Sequence, residues 1–243
     1  MKKGEFIING TSSLTFNAVI QERPAIPSAK RKVTVKQIPG VSGDYLFDEE
    51  AYENVSFSLS LFTKGKTEEE TKQNRYEIVH LFDSGTYVDM QMYHDDEYIY
   101  EVKMLESIEF QPSGKIPLLL PFNLTLNAKP FKRVRDAETR AGSSLNIHNP
   151  YYYPSKPEIT LYGTGDMQLV VNDVEYPFKE IDEHVIIDSE VQHAYKQETT
   201  RIWNRNNKMY TVDFPILKPG DNTLSLKGGA THMEVKPRWV VKL

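Results

Sequence analysis

The sequence predicts a mainly β protein of two domains with a single α-helix. Short runs of alternating apolar and polar residues recur along the chain, separated by glycine, proline, asparagine and aspartate. One segment, about residues 67–83, has helical spacing and a start signal. A length of 243 residues fits two small β domains, and a polar stretch divides the chain. We therefore expect domains at 1–130 and 145–243, joined by a linker at 131–144.

In the first domain, the expected strands alternate with loops. Asn9-Gly10 is a hairpin signal between apolar-rich runs at residues 5–8 and 14–20. Two prolines make residues 21–31 an expected exposed loop. Further strands are expected at residues 33–38, 55–62, 86–92, 97–105 and 122–127.

The helix prediction depends on the segment that begins at Thr67. Thr67 is followed three residues later by Glu70, which is the capping-box pattern of a helix start. Tyr76, Val79 and His80 then recur at helical spacing, and Gly85 is a stop signal.

The second domain is expected to be a β-sandwich, because short strand patterns recur there without a convincing helix. Asn172-Asp173 predicts a hairpin turn, and the glycines at 163, 165, 228 and 229 are expected in turns between strands. The expected strands lie at residues 158–162, 167–171, 174–178, 184–188, 208–212, 222–227 and 232–241.

Composition excludes several classes of protein. Apolar residues make up 39% and charged residues 26%, which is typical of a soluble globular chain. No apolar run approaches the roughly 18–20 residues of a membrane span, so no membrane insertion is expected. No apolar stretch follows the two lysines at the N-terminus, so no secretory signal is expected. The absence of cysteine excludes disulfides and thiolate metal sites.

The net charge is concentrated in the first half. Residues 1–130 contain 14 basic and 19 acidic residues, whereas residues 131–243 contain 15 of each. Affinity for DNA comes largely from cations that displace counterions. The first half is therefore expected to repel DNA rather than bind it.

No pattern of catalytic or cofactor-binding residues is present. The six histidines form no His-Glu-x-x-His motif, and the glycines form no nucleotide-binding loop. His94 to Glu97 is the densest group of potential metal ligands, but consecutive strand residues point to opposite faces. The glutamates at 68–70 fit the positive end of a helix dipole better than acid/base catalysis. We expect no enzyme, no metal site and no cofactor.

The order of several segments resembles the distal tail protein family of long-tailed, non-contractile bacteriophages and prophages. The first segment is Ile38-Pro-Gly-Val-Ser-Gly-Asp-Tyr-Leu-Phe-Asp-Glu-Glu-Ala-Tyr-Glu-Asn-Val55, read as a turn-rich loop that leads into a core strand. Pro121 to Phe131 resembles the last strand of that family's ring domain. Residues 146–163, 214–224 and 238–239 resemble parts of its second domain, and the match covers most of the chain.

The resemblance implies a virion structural protein, assembled in the bacterial host cytoplasm and carried at the phage tail tip. The first domain would be a β-sandwich-like ring domain, and the second a galectin-like β-sandwich. The protein would form a homohexameric ring, the baseplate hub, between the tail tube protein and the tail-associated fibre or lysin protein. Its outer domain would support receptor-binding or baseplate proteins, and DNA would pass through the central channel without specific binding.

Two sets of residues follow as hypotheses. Acidic residues of the first half are expected to face the channel, namely Asp44, Asp48, Glu49, Glu50, Asp95, Asp96 and Glu97. A remnant of a galectin-like sugar site would involve His148, Asn149 and Trp203, although Tyr151 to Tyr153 replaces the expected arginine and Asn204 the expected glycine. The alternatives are a carbohydrate-binding module, an enzyme of unrecognised type and another tail or baseplate component, such as the tail tube protein.

Overall fold

The chain folds into two units, seen in a computed structural model that describes residues 1–112, 114 and 116–243. The first unit comprises Met1–Lys132 together with Lys242–Leu243, and the second comprises Arg133–Val241. The C-terminal residues thus belong to the first unit, although the second unit precedes them in sequence.

In the described part of the first unit, ten strands precede residue 130, together with one α-helix. They are β1 (Phe6–Ile8), β2 (Thr11–Ser12), β3 (Ala18–Ile20), β4 (Arg31–Lys36), β5 (Tyr45–Tyr52), β6 (Val55–Lys64), α1 (Glu68–Phe82), β7 (Val88–Met92), β8 (Tyr98–Met104), β9 (Glu109–Phe110) and β10 (Leu119–Ala128).

Most of these strands form one curled antiparallel sheet in the order β2-β1-β7-β8-β10-β6-β3, with β9 beside β10. The two ends of the sheet approach each other, because Ile20 N–H donates to the Gly4 carbonyl at 2.8 Å. Buried and more exposed side chains alternate along β6 and along most of β10, so that one face of each strand packs in the core. Phe6 and Phe82 meet in this core with ring centroids 6.3 Å apart.

Two expectations for the first unit are wrong. Residues 14–20 are not one strand, because Ser13–Phe16 forms a 3-10 turn that ends where Asn17 adopts a left-handed φ of 50°. Residues 45–52 are not part of a loop, since they form β5 and pair with β4. The glycines and Pro39 lie in the short connection between these two strands.

The helix prediction is confirmed, but its buried face is different. Thr67 is the N-cap, and its side chain accepts a hydrogen bond from Glu70 N–H at 3.1 Å. The buried side chains are Asn74, Ile78 and Phe82, spaced four residues apart, whereas Tyr76 is exposed. Asn74 is tolerated there because its amide donates to Thr63 Oγ1 at 3.2 Å.

The remaining strands build the second unit and carry the chain between the units. They are β11 (Phe131–Val134), β12 (Arg140–Gly142), β13 (Ser144–Asn149), β14 (Glu158–Val171), β15 (Val174–Ile181), β16 (His184–Asp188), β17 (His193–Glu198), β18 (Arg201–Asn204), β19 (Gly220–Lys236) and β20 (Val240–Lys242). The expected linker at 131–144 therefore contains β11 and β12.

The second unit is a β-sandwich whose two layers share the long strands β14 and β19. One layer has the order β13-β19-β14-β15 and the other β12-β19-β14-β16-β17-β18. Pairing of β14 with β19 is irregular between Tyr162 and Met167, where both strands pass from one layer to the other. The core between the layers includes Ile159, Leu169, Phe178 and Trp239, so the expectation that Trp239 is a core residue is confirmed.

The glycines of this unit lie inside strands, not in turns as expected. Gly163 has a φ of 150°, and a Cβ there would lie 2.2 Å from the Gly229 carbonyl oxygen. A Cβ on Gly229 would lie 2.0 Å from the Thr164 carbonyl oxygen. Glycine is required because the two backbones approach too closely for any side chain at the bend.

The other differences concern the ends of the sandwich. Residues 208–212 form no strand, because Asn206–Lys208 is a 3-10 turn and Met209 makes only an isolated bridge to Phe178. The hairpin of β17 and β18 was not expected. The last expected strand is interrupted where Arg238 adopts a left-handed φ of 49°.

Candidate assembly surface

The most unusual surface of the first unit is a hairpin of residues 31–52, formed by β4 and β5. The two strands pair only with each other and make a separate two-stranded sheet. Their register pairs Val33 with Asp48, Val35 with Leu46 and Lys36 with Tyr45. Every residue from Arg31 to Glu50 is exposed.

This hairpin carries a concentration of exposed apolar side chains. Seven of the twenty exposed large hydrophobic residues in the described chain lie between residues 33 and 47. Leu46 is 67% exposed and Phe47 is 53% exposed. The seven residues are Val33, Val35, Ile38, Val41, Tyr45, Leu46 and Phe47. Such a concentration of exposed apolar side chains makes the hairpin a candidate interaction surface.

The base of the hairpin is held by polar contacts. The Arg31 guanidinium donates from Nε to Asp48 Oδ1 at 2.8 Å and also to Tyr52 Oη at 2.9 Å. The hydrogen bond from Arg31 lowers the pKa of the Asp48 carboxyl. Thr34 Oγ1 donates to Glu49 at 2.8 Å across the strands. These contacts fix the strand register near the base, whereas the apolar residues continue towards the tip.

A two-stranded ribbon is at best marginally stable in water unless its surface is covered. Both outer edges of this ribbon present unpaired backbone groups, and both faces carry apolar side chains. Tyr and Phe, which are enriched in protein interfaces, lie beside Val and Leu here. The arrangement therefore suits association with another polypeptide.

The seven acidic residues of the channel hypothesis occupy two places. Asp44, Glu49 and Glu50 are exposed on the hairpin together with Asp48. The other three form the turn before β8, where Lys132 Nζ lies 2.5 Å from Asp95 Oδ2. The Met1 amino group lies 3.3 Å from Asp96, and Glu97 is exposed. Asp48, Asp95 and Asp96 are thus partly neutralised by cationic partners.

The structure separates the residues of the predicted sugar-site remnant. His148 and Asn149 lie on β13, whereas Trp203 lies on β18 at the opposite end of the strand order. His148 Nδ1 is 2.6 Å from Asp221 Oδ1. Asn149 is buried, and its amide donates to the Tyr153 carbonyl while its oxygen accepts from Tyr151 N–H. Asn149 therefore shapes the backbone of this turn.

Among the described residues, no group of three His, Asp or Glu side chains is arranged to hold a metal ion. In the turn at His94 to Glu97, the Asp95 carboxylate instead accepts a hydrogen bond from Tyr100 Oη on β8. In the same described part of the chain, no helix combines the length and apolarity needed to cross a membrane.

The exposed apolar hairpin was not predicted from the sequence. The signal was present, because Val33 and Val35 precede a Pro-Gly turn and Tyr45 to Phe47 follow it. The exposed apolar residues beside the acids at 48–50 are the more unusual feature of this segment.

Comparisons with known proteins found similar folds among solved structures. No protein-family model matches the sequence, and no curated protein matches it significantly. Among solved structures, the Dit protein (gp 19.1) of phage SPP1, described as a hub adsorption apparatus, matches with a TM-score of 0.69 and 13% identity, covering 96% of this chain and 98% of that one.

The phage P2 baseplate in its activated conformation also matches. The form with Ca has a TM-score of 0.59 and 11% identity, covering 95% of this chain and 97% of its own. The form with Sr has the same TM-score and identity, covering 98% of each chain. Over nearly its full length, the chain thus has the fold of the SPP1 Dit protein and of the matching chain of the phage P2 baseplate.

Proposed function

We propose that this protein is a structural component of a phage tail, the ring-shaped hub at the distal end of the tail tube. The fold likeness to the SPP1 Dit protein covers both units, which supports a hub over a one-domain tube protein. The proposed assembly is a homohexamer in the virion, built in the host cytoplasm. Its role is mechanical, and it needs no catalytic group.

The observation that carries this proposal is the exposed hairpin of residues 31–52. A closed ring needs a contact between two different surfaces of the same chain, repeated around the axis. The hairpin provides one such surface, because Leu46 and Phe47 would leave water on contact with a neighbouring copy. Burial of a large apolar side chain contributes about 1.5–3 kcal/mol, and a ring repeats that gain at every contact.

In this proposal, one side of the ring joins the tail tube protein and the other joins the tail-associated fibre or lysin protein. The second unit supports receptor-binding or baseplate proteins. DNA leaves through the central channel, and the seven acidic residues face that channel. Asp48, Asp95 and Asp96 contribute less charge than the other four, because Arg31, Lys132 and the Met1 amino group are paired with them.

The test is the oligomeric state of the full-length protein. Electron microscopy and light scattering should show rings with a central hole for the unmodified chain. Leu46→Asp should prevent ring formation without unfolding, since Leu46 is exposed within one copy. Val174→Asp is the matched control, because Val174 is half exposed in the second unit and its charge should leave the ring intact. Full-size rings of Leu46→Asp would contradict the role of the hairpin.

A further inference from the structure

The hairpin of residues 31–52 meets the rest of the first unit at its base. In the described part of the chain, β4 and β5 pair only with each other, and their register begins with the pair Arg31 and Tyr52. From residue 21 to residue 54, a range that the structure describes in full, Ala29 alone is buried. The orientation of the hairpin therefore depends on a few contacts made by residues 28–31 and 52.

Tyr52 is at the centre of the side-chain contacts at this base. Arg31 Nη1 donates to Tyr52 Oη at 2.9 Å, and the Arg31 guanidinium carbon lies 5.5 Å from the centre of the Tyr52 ring. Lys242 Nζ lies 5.3 Å from the same centre. The Phe131 ring meets the Tyr52 ring edge-on, with centroids 5.3 Å apart. Both kinds of contact are attractive, so Tyr52 joins the hairpin to β11 and β20.

Leu243 holds the segment that leads into β4. The Leu243 carbonyl accepts hydrogen bonds from Ala29 N–H and from Ser28 Oγ, both at 2.8 Å. The Leu243 N–H donates to the Pro130 carbonyl at 3.0 Å. The residues before β4 are thus fixed to the residue that follows Lys242. All of these residues belong to the first unit.

A ribbon that is fixed near its base amplifies any tilt. β4 has six residues, which at about 3.3 Å per residue makes it about 20 Å long. A tilt of about 10° at the base would move its far end by about 3–4 Å. Leu46 and Phe47 pair with Val35 and Thr34, towards that end. A contact between copies that is packed like a protein interior does not tolerate such a displacement.

We propose that Tyr52 and Lys242 are positioning residues for ring assembly, with the backbone contacts of Leu243 as their anchor. Together they hold the hairpin at one angle before it meets a neighbouring copy. Association is tighter when a contact surface is already ordered, because less conformational entropy is then lost on binding. This inference rests on the proposed ring and adds how the hairpin is kept ready for it.

The contribution of these contacts to assembly is separable from the stability of the fold. Tyr52 and Lys242 are half-buried, and Arg31 is exposed. Substitution of surface side chains of this kind usually changes the free energy of unfolding little. A large effect on assembly with a small effect on unfolding is therefore the signature of a positioning role.

The first measurement reads the position of the hairpin within one copy. The chain has no cysteine, so Ser42→Cys near the tip and Lys72→Cys on α1 provide two sites for spin labels. Both positions are exposed. Pulsed electron paramagnetic resonance then gives the distribution of distances between the two labels, in full-length protein diluted below the concentration at which rings form.

Two substitutions of Tyr52 are compared in the labelled protein. Tyr52→Leu removes the ring, whereas Tyr52→Phe keeps the ring and loses only the hydroxyl. We expect one narrow distance peak for the unmodified chain and for Tyr52→Phe, and a peak broadened by several ångströms for Tyr52→Leu.

Tyr87→Leu is the matched control for the distance measurement. Lys103 and Lys129 lie 5.2 and 5.4 Å from the centre of the Tyr87 ring, so this ring also has two cations beside it. The Asn54 amide, which lies 2.5 Å from Tyr87 Oη, is outside the hairpin. Tyr87→Leu should therefore leave the distance peak narrow.

The second measurement is the concentration at which half of the unlabelled chains are in rings, determined by light scattering. Tyr52→Leu should raise this concentration at least about tenfold, and Lys242→Ala should raise it by a smaller factor. Tyr52→Phe and Lys242→Arg keep the ring and the cation, and should assemble like the unmodified chain. The temperature of thermal unfolding should be similar for all five proteins.

Three results would overturn the proposal. A narrow peak for Tyr52→Leu would mean that Tyr52 does not set the angle of the hairpin. A broadened peak with unchanged assembly would mean that the angle is irrelevant to the ring. Equal loss of assembly by Tyr52→Phe and Tyr52→Leu would assign the effect to the hydroxyl instead of the ring. A lack of rings in the unmodified protein would instead reject the proposed function itself, before any variant is compared.

Discussion

At the scale of single residues, the second unit depends on an ion-pair cluster around Arg238. Its guanidinium donates to Asp188 Oδ1 at 2.7 Å and to Glu158 Oε2 at 2.6 Å. Burial alone would raise the pKa of the Asp188 carboxyl, but hydrogen bonds from Arg238 and two backbone N–H groups outweigh it and lower the pKa. Asp188 also accepts from Glu190 N–H at 3.0 Å, which fixes the turn after β16.

The depressed pKa of Asp188 predicts a loss of stability in acid. Because the folded pKa lies below the unfolded value of about 3.9, the contribution is complete above about pH 5 and falls as the pH drops towards the folded pKa. Arg238→Gln should lower the free energy of unfolding at pH 7 by roughly 1–4 kcal/mol. Its stability should also change less between about pH 5 and 3, as measured by urea unfolding.

Lys227→Gln is the control for that experiment. It removes an ion pair with Glu175 in which both side chains are more than half exposed. Such a pair contributes about 0–1 kcal/mol. Equal losses for Arg238→Gln and Lys227→Gln would contradict the importance of the buried cluster.

Thr67 provides a second residue-scale prediction. Its hydroxyl accepts from Glu70 N–H, while the Glu70 carboxylate accepts from Lys66 N–H at 2.6 Å rather than from Thr67 N–H as in a capping box. Thr67→Ala should lower the free energy of unfolding by about 0.5–2 kcal/mol, with no loss of ring assembly. Thr67→Ser keeps the acceptor and should unfold at nearly the temperature of the unmodified chain. Equal melting of all three proteins would show that the cap is dispensable.

At the scale of elements, the bend of β14 and β19 determines the sandwich. Gly229→Ala should destabilise the second unit by about 2–3 kcal/mol or more. The new Cβ would clash with the Thr164 carbonyl oxygen, which cannot move away without shifting the backbone of β14. Gly85→Ala is the matched control, since its Cβ would meet nothing within 4 Å and its φ is not positive. Thermal unfolding measures both. A Gly229→Ala protein as stable as Gly85→Ala would mean that the strands cross less closely.

The strands of the first unit also show which elements a sequence pattern can predict. Strands β6 and β10 were predicted because apolar and polar residues alternate along a strand that has one buried face. β5 was missed because a strand with no buried face has no such alternation. Its pairing with β4 depends on cross-strand backbone bonds, which composition does not reveal.

At the scale of the whole molecule, the C-terminus is part of the first unit. The Leu243 side chain packs against the core of that unit. The Leu243 carbonyl accepts a hydrogen bond from Ala29 N–H at 2.8 Å, and the Leu243 N–H donates to the Pro130 carbonyl at 3.0 Å. Residues 1–132 alone therefore lack a part of their own fold.

We predict that a fragment of residues 1–132 is less stable than the same fragment joined by a short flexible linker to residues 242–243. Only the joined fragment should assemble into rings, because it restores the Leu243 contacts. A fragment of residues 133–241 should remain a monomer by light scattering. Rings formed by residues 133–241 would contradict the assignment of assembly to the first unit.

Sequence patterns alone predicted the mainly β class, the single capped helix and the order of segments that resembles distal tail proteins. These features are local, since alternation, caps and turn residues act within a few positions of the chain. Contacts in the folded chain decided that Tyr45 to Tyr52 is a strand, that Gly163 and Gly229 let β14 and β19 approach closely, and that Leu243 packs against the first unit. Each of these features depends on contacts between residues that are distant in sequence. Neither a close approach of two backbones nor an exposed ribbon produces a periodic pattern of apolar and polar residues.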